Sequence, residues 1–209
     1  VGRRGSGKDV TAHQTARLIS CAPRPCRSRP IYIDLNPKKY DLPVYFRKFD
    51  RKFHQDTTIL LSDAHLSLYS REWGTDFNKT MDKIQTISRH RNINIVYTTQ
   101  QTRRLDVNIV AGVDAIICKE PSLLAPSFER PEIKELTIKA ATYFAPWRTQ
   151  KWKWQHAYAF THGGEFKIEG IEKPYYWSEK LSKAYGADVE KEAKVTTVKL
   201  RSASPFANG

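Results

Sequence analysis

The first nine residues constrain this chain more than any other stretch. Gly2-Arg3-Arg4-Gly5-Ser6-Gly7-Lys8 has a glycine, a four-residue spacer and Gly-Lys, the spacing at which successive backbone N–H groups curl around a polyphosphate. Gly5 and Gly7 let the backbone approach the anion, and Lys8 reaches the terminal phosphates. A helix expected over residues 9–19 aims its N-terminal dipole at the same charge. Gly2, Gly5, Ser6, Gly7, Lys8 and Asp9 are therefore the candidate nucleotide-binding residues. The pattern departs at one position: where it wants Ser or Thr to hold Mg²⁺, the chain has Asp9.

With 209 residues, 40% of them hydrophobic, the chain suits one main domain with a substantial core. Its net charge of +13 points to a polyanionic partner, with nucleic acid favoured over an anionic membrane. No apolar run approaches the ~20 residues of a spanning helix, and the protein reads as intracellular. Cys21, Cys26 and Cys118 include no Cys-x-x-Cys pair, so they are read as free thiols, with a Cys21–Cys26 pair as the alternative. Only Val1 precedes Gly2, and the strand that feeds such a loop is expected upstream of the given sequence.

Residues 21–30 carry three prolines and three arginines and form a basic loop. Strands are expected over 31–35, 57–63, 93–99 and 113–118, with helices over 75–91 and 106–111. In the 75–91 helix Phe77, Met81, Ile84 and Ile87 make one apolar stripe. This alternation implies an α/β fold, a mainly parallel sheet with helices on both faces, whose ligand sits at the strands' carboxyl ends. There Lys8, Asp63 and Gln100 are expected to converge. After Glu120-Pro121 the pattern changes. Residues 133–144 are strand-like, 151–161 alternate aromatic and polar residues, and His162-Gly163-Gly164 turns into a strand over 165–171, together a C-terminal antiparallel extension. A terminal helix is expected over 174–185. The division that follows is an ATPase domain over 1–185, with a nucleotide-binding core over 1–120 and the extension and helix over 121–185, then a mobile tail over 186–209.

The apolar run Thr57-Thr58-Ile59-Leu60-Leu61-Ser62-Asp63 ends in a carboxylate and continues Ala64-His65. Two readings stay open. If Ala64-His65 aligns with the end of an Asp-Glu-Ala-His box, Ser62 stands at the metal position and Asp63 at the catalytic one. Hydroxyl and carboxylate have then changed places between Asp9 and Ser62, with Asp9, Ser62 and Asp63 as the metal-site candidates. In the simpler reading Asp63 is the metal-shell carboxylate, and Glu72 is the nearest downstream carboxylate for the base.

The loop at 2–8, the box at 60–65, the Ser88-Arg89-His90-Arg91-Asn92 run and Ile95-Val96-Tyr97-Thr98-Thr99-Gln100 together resemble the HerA/FtsK superfamily of pumping ATPases. Within it the chain is most similar to genome-packaging ATPases of archaeal icosahedral viruses and to Zot-like proteins of filamentous phages, over about residues 1–120. The resemblance implies a RecA-like P-loop NTPase fold, ATP and Mg²⁺ as cofactors, and a homo-oligomeric ring, commonly a hexamer. It implies Gln100 as a polar sensor of the γ-phosphate. It also implies an Arg reaching a neighbour's nucleotide, for which Arg89 and Arg91 are candidates and Arg71 a weaker one. The catalytic set is then Lys8, Asp63, Gln100, Arg89 and Arg91.

Nucleic-acid contacts rest on composition alone. Residues 17–52 hold ten Lys or Arg against three Asp, and the stretch from Trp147 to Trp154 interleaves cations and aromatics. Arg24, Arg27, Arg29, Lys38, Lys39, Arg148, Lys151 and Lys153 are the candidates. The expected activity is ATP-driven translocation of double-stranded DNA into a viral capsid, with a capsid or portal vertex protein as partner, in the host cytoplasm or the virion. A Zot-like assembly or export ATPase and a non-hydrolysing DNA-binding protein are the alternatives.

Overall fold

The computed structural model describes residues 1–3, 5–21, 29–50, 54–62 and 76–184, with the backbone alone for 76–82 and 84. The first helix, α1 (Lys8–Cys21), leads to β1 (Ile31–Ile33) and, past a 3₁₀ turn at Pro37–Tyr40, to β2 (Phe46–Lys48), a short strand that the sequence pattern does not announce. β3 (Thr57–Leu61), α2 (Asp76–Arg91) and β4 (Ile93–Tyr97) complete a parallel four-stranded sheet in the order β2-β1-β3-β4. Its centre is buried on both sides, as right-handed crossovers require. Ile31, Ile33 and Leu60 pack with Ala12 and Ala16 of α1 on one face. Tyr32, Ile59 and Leu61 pack with Ile93 and Ile109 on the other. Period-two alternation inside an all-apolar run thus supplies two half-cores.

α3 (Val107–Ala111) is capped by Asp106, whose carboxylate accepts from Asn108 N–H. β5 (Ala115–Cys118) opens a second sheet, antiparallel, in the order β5-β6-β7, with β6 at Ala157–Thr161 and β7 at Gly164–Ile168. Between β5 and β6 lie α4 (Ala125–Phe128) and α5 (Pro131–Phe144), and α6 (Glu179–Ser182) ends the described chain. The expected α/β fold, parallel sheet and antiparallel extension are all present.

Four local expectations are corrected. Residues 133–144 are helix: Pro131 starts it, and the buried set Ile133, Thr137, Ala140 and Phe144 recurs every three to four residues. The β-branched residues in this run mimic strand propensity, and packing on the second sheet overrides it. The 151–161 alternation becomes strand only from Ala157, because a 3₁₀ turn occupies Lys153–Gln155. The last strand stops at Ile168 and the terminal helix is the four-residue α6. Of the α2 stripe, the side chains of Phe77, Met81 and Ile84 lie outside the described residues, as do residues 185–209, which contain the expected tail. Among the described residues no helix is long and apolar enough to cross a membrane.

The two sheets meet at residues 1–3. Val1 N donates to Ile117 O at 2.7 Å and Lys119 N–H donates to Val1 O at 2.6 Å, bracketing Cys118 as a parallel ladder does. On the other side Gly2 N–H donates to Thr99 O at 3.3 Å. The segment leading into the loop therefore lies between the ends of β4 and β5. Beside it, a cavity of about 320 Å³ runs between those strands, lined by apolar residues such as Ile95, Ile109, Ala115 and Ile117.

Candidate nucleotide site

The loop that follows this segment sits at the carboxyl end of the parallel sheet, as expected. Gly5 and Gly7 have φ of +75° and +80°, the left-handed region that glycine tolerates, and the Ser6 N–H between them donates to Arg3 O at 3.2 Å, closing a tight turn. Ser6 between them is 2% exposed, and its hydroxyl has no hydrogen-bond partner among the described residues. The N–H and hydroxyl of Thr11 both donate to Gly7 O at 3.1 Å, so α1 starts directly on the loop. Its first turn contains Lys8, which is buried, and Asp9.

Lys8 Nζ stands 3.2 Å from both carboxylate oxygens of Asp9, and Thr98 Oγ1 donates to Asp9 Oδ1 at 3.3 Å. Thr98 N–H donates to Leu61 O at 2.9 Å, which sets the ends of β3 and β4 side by side. Ser62, one residue past β3, is 4% exposed with its hydroxyl unpartnered among the described residues. Two buried hydroxyls without a protein acceptor or donor are costly alone. Together with a lysine ammonium, a carboxylate and a loop with two left-handed glycines they fit a phosphate chain and a divalent cation, which such sites hold by few protein ligands plus phosphate oxygens.

The end of β4 reaches the loop through Thr98, whose role the motif reading missed; Gln100, the expected sensor, lies two residues on and is half-buried. Asp63, Arg71, Glu72, Arg24 and Arg27 lie outside the described residues. Arg89 and Arg91 end α2 at the amino ends of the strands: Arg89 pairs with Asp114 at 3.4 Å, just before β5, and Arg91 O accepts from Asp56 N–H, just before β3. The five residues of β4 separate them from Lys8, about 16 Å of strand, so the structure does not bring them to this chain's own loop. Arg29 is also at that end, donating to Asn92 Oδ1 at 3.1 Å.

The other basic candidates are dispersed. Lys38 and Lys39 are exposed on the 3₁₀ turn after β1, with Lys39 over the Tyr40 ring. Lys151 is exposed and Arg148 half-buried. Lys153 is engaged internally, donating to Arg148 O at 2.6 Å and standing 3.2 Å from the carboxylate of Glu120. The aromatics interleaved with them pack on one another: the half-buried Trp147 ring stacks on His156 at 4.9 Å, and Trp152, itself 41% exposed, lies against both. Glu120, 4% exposed, also pairs with Arg3 of the loop at 2.7 Å. Neither Glu120 nor the adjacent buried Lys119 is visible in any motif; the only sequence signal is that a Lys-Glu pair ends an apolar strand. Cys118 is a buried free thiol, its pKa pushed up by burial; Cys21 is exposed and free, and Cys26 lies outside the described residues.

No protein-family profile matches the chain, and no curated protein matches it. Solved structures do. The chain is similar to the genome packaging NTPase B204 from Sulfolobus turreted icosahedral virus 2 in complex with ATPγS, at 15% identity and a TM-score of 0.52, with 82% of this chain and 95% of that chain covered. For B204, the DNA-packaging ATPase from Sulfolobus turreted icosahedral virus, the values are 14%, 0.53, 82% and 95%. The N-terminal domain of zonular occludens toxin from Neisseria meningitidis matches at 13% identity and a TM-score of 0.44, over 89% of this chain and 87% of that chain. At these identities the likeness to the packaging NTPases, one of the groups named by the sequence resemblance, is one of fold: the chain has the α/β phosphate-loop NTPase fold.

Proposed function

We propose that this chain is a Mg²⁺-dependent ATPase of the HerA/FtsK type that drives double-stranded DNA into a viral capsid as a homo-oligomeric ring, a hexamer, docked on a capsid or portal vertex protein. The observation that carries the reading is the loop itself: two left-handed glycines flanking a buried serine whose hydroxyl has no partner among the described residues, closed by a buried lysine at a helix N-terminus. The fold likeness to a packaging NTPase over nearly that protein's whole length supports it.

In this reading the N–H groups around Gly5 and Gly7 hold the β-phosphate, and Lys8 leaves Asp9 to meet the terminal phosphates. Bound Mg²⁺ neutralises charge on the β- and γ-phosphates. Asp9 and Ser62 are the residues to hold it, with Asp63, and Thr98 orients the Asp9 carboxylate. Gln100 senses the γ-phosphate. Arg89 or Arg91 acts only in trans, since each stands at the far end of its own sheet; its charge stabilises the transferring phosphoryl group in a neighbour's site.

A second reading, a nucleotide-binding protein without hydrolysis, is favoured by one contact. The Lys8–Asp9 pair, at 3.2 Å, engages the lysine with a carboxylate where the pattern has a neutral hydroxyl. ATPase activity measured with and without duplex DNA, with the protein's mass followed in the same samples, separates the readings. The motor requires hydrolysis that rises with DNA and a mass several times the monomer's. Absence of hydrolysis under every condition favours the second reading, and hydrolysis indifferent to DNA favours an export ATPase.

A further inference from the structure

Lys119 is among the largest fully buried side chains of the described residues, 1% exposed, and no carboxylate among the described residues lies within ion-pair distance of it. Burying an ammonium this way costs several kcal/mol, and burial pushes its pKa down to about 7. An apolar side chain of that size would be cheaper for the core alone.

What the ammonium holds is specific. Lys119 Nζ donates to Trp154 O at 2.6 Å and to His156 O, both in the irregular stretch before β6. Each end of the phosphate loop rests on this assembly. A Cβ at Gly2 would stand 2.6 Å from Lys119 Cβ, so the loop's first glycine lies on the lysine stem. A Cβ at Gly7 would stand 3.0 Å from Trp154 Cβ and 3.3 Å from Trp154 O, so its last glycine lies on the residue that the lysine head grips. The neighbouring Glu120 repeats the tie in charge, with Arg3 of the loop on one side and Lys153 on the other.

We propose that Lys119 is a positioning residue of the phosphate loop: by holding Trp154 against Gly7 while its stem supports Gly2, it fixes the loop in the shape that receives a polyphosphate. The proposal rests on reading the loop as a nucleotide site and adds a residue that no loop motif contains. Its logic is that of support around a binding site, where a group that never touches the ligand keeps those that do within about half an ångström of their working geometry. Without the ammonium, two buried carbonyls lose their donor and the 152–156 turn is free to move off Gly7.

The test is Lys119→Met and Lys119→Gln, with the affinity for MgATPγS by calorimetry, KM and kcat for ATP, and the thermal midpoint of the nucleotide-free protein. The expected result for Lys119→Met is an affinity about tenfold weaker, equivalent to about 1.4 kcal/mol, with KM rising in parallel and kcat changing less. Lys119→Gln, which keeps an N–H donor, recovers part of the loss. A lower thermal midpoint with wild-type affinity and KM overturns the proposal and leaves Lys119 a support of the fold alone. Should Lys119→Met not fold, amide exchange on the wild type decides: MgATPγS must slow exchange at 154–156 together with 5–7, and protection of 5–7 alone overturns the proposal. A wild type that does not bind MgATPγS at all overturns the nucleotide reading itself, a result distinct from both.

Discussion

His13 shows how a residue outside the site conditions the helix that starts there. It is fully buried on α1, its ring 5.3–5.9 Å from those of Phe46, Tyr176 and Trp177. Burial drives its pKa from 6.5 down to about 3. The unfolded chain therefore takes up a proton below pH 6.5 that the folded one refuses until about pH 3. Stability from this group is complete above pH 6.5 and falls as pH drops toward 3, by up to about 1.4 kcal/mol per pH unit. In urea titrations between pH 6.5 and 4, His13→Leu should remove that part of the slope; equal slopes for wild type and variant would show that His13 is not held neutral. A second residue-scale prediction concerns Asp9, in the first turn of α1, and Ser62, one residue past β3. If carboxylate and hydroxyl have exchanged roles, Asp9→Ser and Ser62→Asp each abolish ATPase activity and the double variant restores a measurable part. A double variant as inactive as either single one removes the exchange and leaves Asp63 as the metal-shell carboxylate.

At the scale of elements, α5 offers the sharpest contrast between pattern and outcome. In a strand, Ile138, Ala140, Thr142 and Phe144 would share one face, since side chains alternate with period two. In the helix, Ala140 and Phe144 are fully buried and Ile138 is 45% exposed. Phe144→Ala should cost about 3–5 kcal/mol by leaving a cavity, whereas Ile138→Glu should stay within about 0.5 kcal/mol of wild type. Comparable losses in chemical denaturation would mean that the helix register is wrong. The parallel strands β1, β3 and β4 were legible because a short β-branched and apolar stretch such as Ile31-Tyr32-Ile33, Thr57–Leu61 or Ile93–Tyr97, set between breakers, has few other uses. β2 was not, since of its three residues only Phe46 is buried, and Arg47 and Lys48 read as loop.

For the molecule as a whole, the glycine turn and the α/β order were legible because glycine spacing and alternating periods are local properties of the chain. The supports of the loop were not. Thr98, Lys119 and Glu120 reach it from β4 and β5, and nothing local in a threonine or a Lys-Glu pair signals a partner about a hundred residues away. Arg89 and Arg91 illustrate the converse. Their helix-end position was read correctly, but only the topology places them across the sheet from Lys8.

The segment at 1–3 has a mechanical meaning as well. It is hydrogen-bonded to the end of β4 on one side and to β5 on the other, and Ser6 N–H of the glycine loop donates back to its Arg3 O. If the loop holds a terminal phosphate as proposed, a load arising there would pass through the main-chain bonds of residues 1–3 into both sheets at once. The stiffness of that path would be that of a strand ladder, so in the proposed motor side-chain substitutions around the loop should alter nucleotide affinity more than the coupling between the sheets.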